Sequence, residues 1–373
     1  MIIGIDASQS NKNQKTGVEW YSYHLIEHLK NIPLNPGDKF ILYASEPLKN
    51  DLKNLPLGWE NKILNWPLKR FWNQIRLTWE LKHCPPDLFF SPGYYPPFFY
   101  SGKTIFTVHD LGLFSSLGEP SLKQKFLTRL FLKKALVKAK LILVPSFFTQ
   151  KELKKNFPLI NNSKIKVVPE GYSSDFRPRN KQETRVILQK YQINKPYFLF
   201  VGRREKRKNI INLIKAYARF RKKQAADLCP ELILIGQSGL EQAKIKKIIK
   251  QTKGVRVLGY VKQPDLPYFY NQALAFIFPS LYEGFGLPVL EAMASGCPVL
   301  ASQASSIPEV GGKAILYFNP DKIQEIAKKM KVIFKNKKLR EDLKIKGLKQ
   351  VQNFSWQKCA QKTYFYLTQA IKD

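Results

Sequence analysis

Short apolar runs rich in β-branched and aromatic residues alternate with longer helical patterns along the whole chain. Such alternation is typical of parallel strands joined by helices, because two parallel strands need a long return connection. In the first half it predicts strands at 2–6, 39–43, 88–90, 104–109, 141–144 and 165–168. The pattern starts again in the second half, with strands at 197–202, 231–236, 255–258, 275–278, 299–301 and 315–318. The sequence therefore predicts an α/β protein with two doubly wound parallel sheets.

The length of 373 residues fits two domains of ordinary size better than one. A polar segment at 176–183 is the predicted linker, so that the N-terminal domain spans 1–178 and the C-terminal domain spans 179–353. The tail at 354–373 predicts one aromatic-rich helix that packs back on the N-terminal domain. Further helices are expected at 18–30, at 210–223 and from Glu119-Pro120 to about residue 140.

The chain is strongly basic, with 62 Lys and Arg against 28 Asp and Glu and a net charge of +34. Such an excess fits nucleic-acid binding, binding to an anionic membrane, or a lysine-rich composition that serves no partner. Many lysines recur at helical spacing, among them Lys244, Lys247 and Lys250, which is typical of a solvent-exposed helix face. With 44% hydrophobic and 13% aromatic residues and no low-complexity tract, the sequence excludes a disordered chain.

Features that the sequence lacks set an expectation for location. Residues 1–6 already form a predicted strand, which leaves no leader segment, and no apolar run approaches the roughly 18 residues that span a bilayer. The four cysteines form no CxxC pair and are accompanied by only four histidines, so neither a disulfide scaffold nor a metal site is indicated. We therefore expect a cytoplasmic protein with reduced thiols.

The segment 279–298, PSLYEGFGLPVLEAMASGCP, directly follows a predicted strand. Gly284 and Gly286 allow a ligand to approach the backbone, and the next helix presents N–H groups and a positive dipole end to an anion. Glu283 and Glu291 lie eight positions apart, a little over two helical turns, so both carboxylates can serve one ligand. From the residues alone, a helix cap for Glu283 and a surface ion pair for Glu291 remain the alternative.

This segment resembles the E-x7-E block of retaining glycosyltransferase family 4, the glycosyl transferases group 1, including its EGFGLP, LEAMASG and PV elements. The resemblance covers essentially the whole chain and implies the GT-B fold, in which two Rossmann-like domains face each other across a cleft. It further implies that Glu283 faces the donor sugar and that Glu291 holds the ribose hydroxyls of the nucleotide. Backbone groups that meet the sugar and the phosphates are implied at Phe285, Gly286 and Leu287.

A second motif, GRREKRKN, ends the predicted strand 197–202 and resembles the family's GR-x4-KN segment. The resemblance implies a donor site at Gly202, Arg203 and Lys208, in which the arginine and the lysine neutralise the diphosphate. An arginine fork and a lysine point charge suit a pyrophosphate leaving group. As a bare sequence, the same run also fits a nucleic-acid-binding loop. The additional cations, which are expected in solvent, are Arg204, Lys206 and Arg207.

The remaining candidates are spread over both halves. His109 and Asp110 resemble the HD segment at the family's acceptor-facing wall, so His109 is a candidate contact for sugar or acceptor, with a structural histidine as the alternative. Asp110 is expected to orient backbone. The family's first glycine loop is reduced here to Gly17, and Glu19 after it either binds acceptor or interacts with the helix dipole. Backbone that flanks the nucleotide base is implied at Tyr260 and Val261.

The sequence contains no D-x-D motif, and the matched residues offer cations and a helix dipole to the leaving diphosphate, so we expect transfer without a metal or another cofactor. The resemblance implies retention through front-face attack, with a hexose moved from a nucleotide sugar to a glycan or lipid-linked acceptor in cell-surface polysaccharide or glycoconjugate synthesis. Whole-chain similarity favours mannose from GDP-mannose. The alternatives are a UDP-hexose transferase or an epimerase of the same fold, and a non-catalytic protein that binds nucleic acid or anionic lipid.

Peripheral contact with the inner face of the plasma membrane is a further expectation. The stretch 66–79 combines three tryptophans with Lys69, Arg70 and Arg76, and 123–140 predicts a basic helix. Both can rest on an anionic leaflet, and a core-facing helix with basic solvent positions is the alternative. Nucleic acid is not expected as a partner.

Overall fold

The computed structural model describes residues 1–68, 70–93, 95–115, 121–225, 229–239 and 242–372. The described residues separate into two compact units. The first unit comprises those up to Gly171 and those from Ser355 onward, and the second comprises Tyr172–Phe354. The chain therefore enters the second unit just before the predicted linker at 176–183. Lys69 and the predicted helix start at Glu119-Pro120 lie outside the described residues.

The first unit is built on a parallel sheet of seven strands in the order β3-β2-β1-β4-β5-β6-β7. They are β1 (Ile2–Asp6), β2 (Lys39–Ala44), β3 (Trp59–Ile63), β4 (Leu88–Ser91), β5 (Thr104–Thr107), β6 (Leu141–Val144) and β7 (Ile165–Val167). Six of these strands match predicted runs to within two residues at either end. The apolar pattern misses β3, because this edge strand exposes Glu60 and Asn61 and contains no continuous apolar run.

Four α-helices lie between these strands: α1 (Gly17–Leu29), α2 (Thr78–His83), α3 (Leu122–Lys138) and α4 (Phe147–Asn156). α1 begins one residue before the predicted helix, because Thr16 and Glu19 form a reciprocal capping box there. β5 ends at Thr107, two residues earlier than predicted, so His109 follows the strand instead of belonging to it.

The second unit contains a parallel sheet of six strands in the order β10-β9-β8-β11-β12-β13. They are β8 (Tyr197–Val201), β9 (Glu231–Ile235), β10 (Val255–Gly259), β11 (Ala275–Phe278), β12 (Val299–Ser302) and β13 (Leu316–Phe318). The accompanying helices are α5 (Lys181–Lys190), α6 (Ile210–Arg221), α7 (Gln242–Gln251), α8 (Leu266–Gln272), α9 (Leu287–Ala294), α10 (Ile307–Gly311), α11 (Ile323–Lys335) and α12 (Lys337–Gln350). All six strands match predicted runs to within one residue.

The order of the second sheet reverses between β8 and β11, which pair directly. At such a switch point the connections leave on opposite faces, and a crevice opens outside the carboxyl ends of the two strands. Phe200 and Phe278, near the ends of these strands, are fully buried and stack with a ring-centroid distance of 6.4 Å. The fold therefore brings the loop after β8 and the loop after β11 to one place on a rigid support.

The chain ends in α13 (Trp356–Lys372), which packs against α1 in the first unit. Trp356 stacks on His24 at a ring-centroid distance of 5.3 Å and meets Tyr21 edge-on at 5.8 Å. Gly171 lies against the start of this helix, since a Cβ at this position would come within 2.1 Å of the Trp356 backbone nitrogen. Glycine is therefore required there, and the predicted return of the C-terminal helix to the first unit is confirmed.

We expect Gly171→Ala to destabilise the first unit by about 1–3 kcal/mol, because the added methyl group overlaps with the Trp356 backbone. All six tryptophans of the chain belong to this unit, so urea unfolding followed by tryptophan fluorescence reports on it. Gly17→Ala is the matched control, since no heavy atom lies within 4 Å of the Cβ added there. Equal unfolding midpoints for the two variants would contradict this packing.

Candidate active site

The loop after β8 is held by backbone conformation and by one half-buried arginine. Gly202 has a φ of +150°, a region that favours glycine. Arg204 Nη1 donates to the carbonyl oxygen of Gly236 at 2.5 Å, and burial lowers the pKa of this guanidinium. Arg203 has a largely exposed side chain, whose Nε lies 3.2 Å from the Glu205 carboxylate. Arg204, expected in solvent, is therefore half-buried, and Arg203 is the more exposed of the two arginines.

Lys208 and Glu283 form a buried ion pair at the switch point. The Nζ of Lys208 is 2.6 Å from Oε1 of Glu283, and the two side chains are 9% and 8% exposed. Ser280 Oγ donates to the same carboxylate oxygen at 2.5 Å, and Arg207 Nη1 approaches the other oxygen at 3.4 Å. Arg207, expected in solvent, is half-buried beside this pair, with its side chain 30% exposed. Two predicted site residues from separate motifs thus contact each other directly.

Opposing effects set the charges of this pair. Burial acts to raise the pKa of the Glu283 carboxyl, but Lys208, Arg207 and the hydrogen bonds outweigh it, so this pKa lies below its ordinary value. Burial lowers the pKa of the Lys208 ammonium, and Glu283 opposes that shift. We assign both groups their charged forms at neutral pH, because their close contact favours the ion pair. A desolvated ammonium at this strand end can stabilise negative charge on a bound phosphate.

The EGFGLP loop at 283–288 leaves open space in front of the N-terminus of α9. Ser306 Oγ fixes the loop, lying 3.0 Å from the carbonyl oxygen of Glu283 and 2.8 Å from that of Phe285. Gly286 has a φ of +114°, and no heavy atom lies within 4 Å of the position that its Cβ would take. α9 starts immediately afterwards at Leu287, so its first N–H groups and its positive dipole end adjoin this space. The arrangement suits an anion.

Glu291 lies a little over one turn into α9 and accepts a hydrogen bond from the Tyr270 hydroxyl at 3.1 Å. Burial raises the pKa of its carboxyl to about 7. A polar ligand that donates to the ionised form can therefore change its protonation at neutral pH. Of the two residues implied beside the nucleotide base, Val261 belongs to the hydrophobic core, whereas the Tyr260 side chain is more than half exposed.

His109, in the first unit, is held on two sides. Its Nε2 donates to the carbonyl oxygen of Pro92 at 2.8 Å, and because a carbonyl only accepts, this nitrogen carries hydrogen. Its Nδ1 lies 3.7 Å from Oε1 of Glu170, a buried residue whose carboxyl pKa burial raises. The Tyr21 ring packs edge-on against the imidazole at 4.6 Å. Sequence reasoning misses Glu170, because its VVPEG context contains no pattern that marks a buried carboxylate.

The other candidates of the first unit have local roles. Asp110 Oδ1 accepts from the backbone N–H two residues further on at 2.8 Å, as expected for a residue that orients backbone. The Glu19 carboxylate accepts from the Thr16 backbone N–H at 3.0 Å and from Lys12 Nζ at 2.9 Å. These contacts favour the capping role of Glu19 over acceptor binding. Gly17 is the first residue of α1, with open space at the position that a Cβ would take.

Two family models match the chain, "Glycosyltransferase Family 4" at residues 15–176 and "Glycosyl transferases group 1" at residues 181–350. The O-antigen chain mannosyltransferase B of Escherichia coli is 34% identical over 378 aligned positions, which cover 96% of this chain and 97% of the relative. The chain belongs to the group 1 glycosyltransferases. It is therefore an enzyme that uses a nucleotide-sugar donor and a glycan acceptor.

Further comparisons agree with this assignment. The O-antigen chain mannosyltransferase RfbU of Salmonella typhimurium is 29% identical over 75% of this glycosyltransferase and 73% of its own length. Sucrose-phosphate synthase from Thermosynechococcus elongatus superposes with a TM-score of 0.77 at 18% identity, covering 99% of this chain and 98% of the other. This likeness confirms the predicted GT-B fold with its two Rossmann-like units. In the described part of the chain, no helix has the length and apolar character needed to cross a bilayer.

We expect Glu283→Gln in this glycosyltransferase to lower the free energy of unfolding by about 3–5 kcal/mol, because it leaves the Lys208 ammonium buried without its carboxylate. The double variant Lys208→Met/Glu283→Gln should recover at least half of this loss. Glu231→Gln is the control, since its partly exposed pair with Arg256 contributes no more than about 1 kcal/mol. Thermal unfolding followed by circular dichroism compares them, and a double variant no more stable than Glu283→Gln would contradict the ion-pair assignment.

Proposed function

We propose that this glycosyltransferase transfers mannose from GDP-mannose to a glycan or lipid-linked acceptor, with retention, in the synthesis of a cell-surface polysaccharide. The observation that carries the proposal is the 34% identity to an O-antigen chain mannosyltransferase along 96% of the chain. The second relative, also named as an O-antigen chain mannosyltransferase, supports the same donor sugar. We place the reaction in the cytoplasm, with the enzyme peripheral on the inner face of the plasma membrane.

The leaving diphosphate is the group for which the second unit is best equipped. Arg203 offers a solvent-accessible guanidinium, Lys208 a desolvated ammonium, and α9 its N-terminal N–H groups. These groups supply positive charge without a metal ion, so we propose that transfer is metal-independent. The bond from the sugar C1 to the diphosphate oxygen breaks, and a bond to the acceptor oxygen forms on the same face. The acceptor proton passes to an oxygen of the departing diphosphate.

The carboxylates and His109 have separate proposed roles. Glu283 contacts the donor sugar from a position fixed by Lys208 and Ser280. Glu291 accepts hydrogen bonds from the ribose hydroxyls, and backbone at Tyr260 and Val261 flanks the base. His109 contacts sugar or acceptor without transferring a proton, because Nε2 already donates to a backbone carbonyl and Nδ1 faces Glu170.

A donor panel in the presence of excess EDTA tests the donor and the metal independence together. We expect turnover with GDP-mannose and none with UDP-glucose or UDP-galactose, and stabilisation by GDP above UDP and ADP in thermal unfolding. Arg203→Ala should lower kcat about 100-fold, because the leaving charge loses a donor, whereas Arg219→Ala on α6 should leave it unchanged. Preference for a UDP-hexose supports the alternative transferase. If no donor is turned over and the chain binds RNA in a salt-sensitive manner, the result would support the non-catalytic alternative and contradict the transferase proposal.

Binding of GDP-mannose should strengthen as the pH rises through about 7. The raised pKa leaves the Glu291 carboxyl about one-tenth ionised at pH 6 and about nine-tenths ionised at pH 8, and the ribose hydroxyls donate to the ionised form. We therefore expect the Kd to fall about ninefold over this interval, measured by isothermal titration calorimetry. Glu291→Gln should bind with a Kd that does not change with pH. An unchanged pH dependence in this variant would remove Glu291 from the ribose site.

A further inference from the structure

The helix α3 carries apolar side chains on two opposite faces. Leu132 and Leu136 are fully buried in the core of the first unit. Five other apolar residues of the helix are between 44% and 62% exposed, namely Phe126, Leu127, Leu130, Phe131 and Val137. A surface helix normally keeps its outward face polar. The outward face of α3 therefore resembles an interface.

Rings from neighbouring segments extend this face. Phe98 lies 5.1 Å from Phe131 and 5.0 Å from Phe99, between ring centroids. Phe71, Phe98 and Phe131 also line a cavity of about 290 Å³ beside α3. Phe71 and Phe99 are each more than 60% exposed. Together with the five exposed residues of α3, Phe71 and Phe99 form what we term the apolar patch.

Positive charges surround the apolar patch. Positions 121–140 contain seven basic residues and no acidic one. Lys134 Nζ lies 3.5 Å from the ring centroid of Phe98, and Lys138 Nζ donates to the Phe98 carbonyl oxygen at 3.2 Å. Within the described residues, none of the cations of α3 forms an ion pair. The uncompensated charge favours an anionic partner and opposes a second copy of the same surface.

The chain segment that follows Phe71 of the patch contacts the carboxyl end of β1 and the connection after β4. Asn73 Nδ2 donates to the Asp6 carboxylate, at the end of β1, at 3.0 Å. Gln74 Oε1 accepts from the backbone N–H of Phe98, in the connection after β4, at 2.8 Å. The order of this sheet reverses between β1 and β4, and ligands of such sheets bind outside the carboxyl ends of these strands.

We propose that the apolar patch and its basic rim dock on the surface of an anionic lipid bilayer. The phenylalanine, leucine and valine side chains enter the boundary between headgroups and acyl chains, while the long basic side chains reach the anionic headgroups. RNA carries the negative charge that the basic side chains require, but it has no apolar region in which Leu130 and Val137 could be buried. The inference rests on the proposed function in one respect, because a lipid-linked acceptor would explain why the enzyme docks on a membrane. The docking itself requires neither donor nor acceptor.

Sedimentation of the full chain with vesicles tests the docking without any substrate. We expect at least about tenfold stronger partitioning into vesicles that contain phosphatidylglycerol than into pure phosphatidylcholine, and weaker binding at high salt. Phe126→Gln/Leu130→Gln/Val137→Gln should weaken partitioning into anionic vesicles at least about tenfold. The matched control, Leu159→Gln/Ile345→Gln/Phe365→Gln, removes three exposed apolar residues elsewhere and should bind like the parent chain.

Equal binding to the two kinds of vesicle, or equal loss in the two triple variants, would overturn the docking proposal. So would a patch-dependent dimer in analytical ultracentrifugation, or patch-dependent RNA binding without vesicle binding. Unfolding midpoints show whether each variant is folded.

Turnover of GDP-mannose with a water-soluble oligosaccharide separates the two proposals. Vesicle binding without turnover contradicts the proposed function alone, whereas turnover that persists without vesicle binding contradicts the docking alone.

Discussion

The direct pairing of β8 with β11 is the constraint on which the candidate site of the second unit depends. Only because these strands are neighbours does Lys208 meet Glu283, although 75 positions separate them in the chain. Their rigid support is a fully buried aromatic layer that includes Phe200 and Phe278. The same pairing directs α9 so that its N-terminus opens beside the ion pair. Charge, helix dipole and open space thus follow from one feature of the topology.

The buried ion pair is costly for a protein to maintain. Removing two charges from water costs several kcal/mol per ion, and hydrophobic residues of similar volume often give equal or greater stability. A charged Lys208 at this place is therefore better explained by its action on a ligand than by its effect on folding. Glu283 then has two roles, since it compensates the ammonium and also presents a carboxylate oxygen at the site. Ser280 and Arg207 hold that carboxylate in one orientation.

Local pattern determines which features of this fold are predictable. Strands such as β8 and β11 are buried on both faces, so a continuous apolar run marks them in the sequence. β3 lies at the sheet edge with Glu60 and Asn61 exposed, and its run of residues carries no such mark. The candidate residues after β8 and β11 follow from motif and topology, but the partners of buried charges do not. The half-buried Arg207 and the buried Glu170 illustrate this limit, because only tertiary contacts distinguish such charges from solvated ones.

The net charge of +34 has no single physical meaning in this chain. On α7, Lys244, Lys247 and Lys250 project from a helix whose Ile245 is buried, which is the ordinary arrangement of a solvated amphipathic helix. On α3, the cations alternate with exposed Phe126, Leu130 and other apolar residues, so that water is a poor partner for the same face. Composition cannot separate these two cases. The exposure of the apolar residues between the lysines does separate them, and it is this exposure that makes one basic helix a candidate docking surface and the other an ordinary solvated helix.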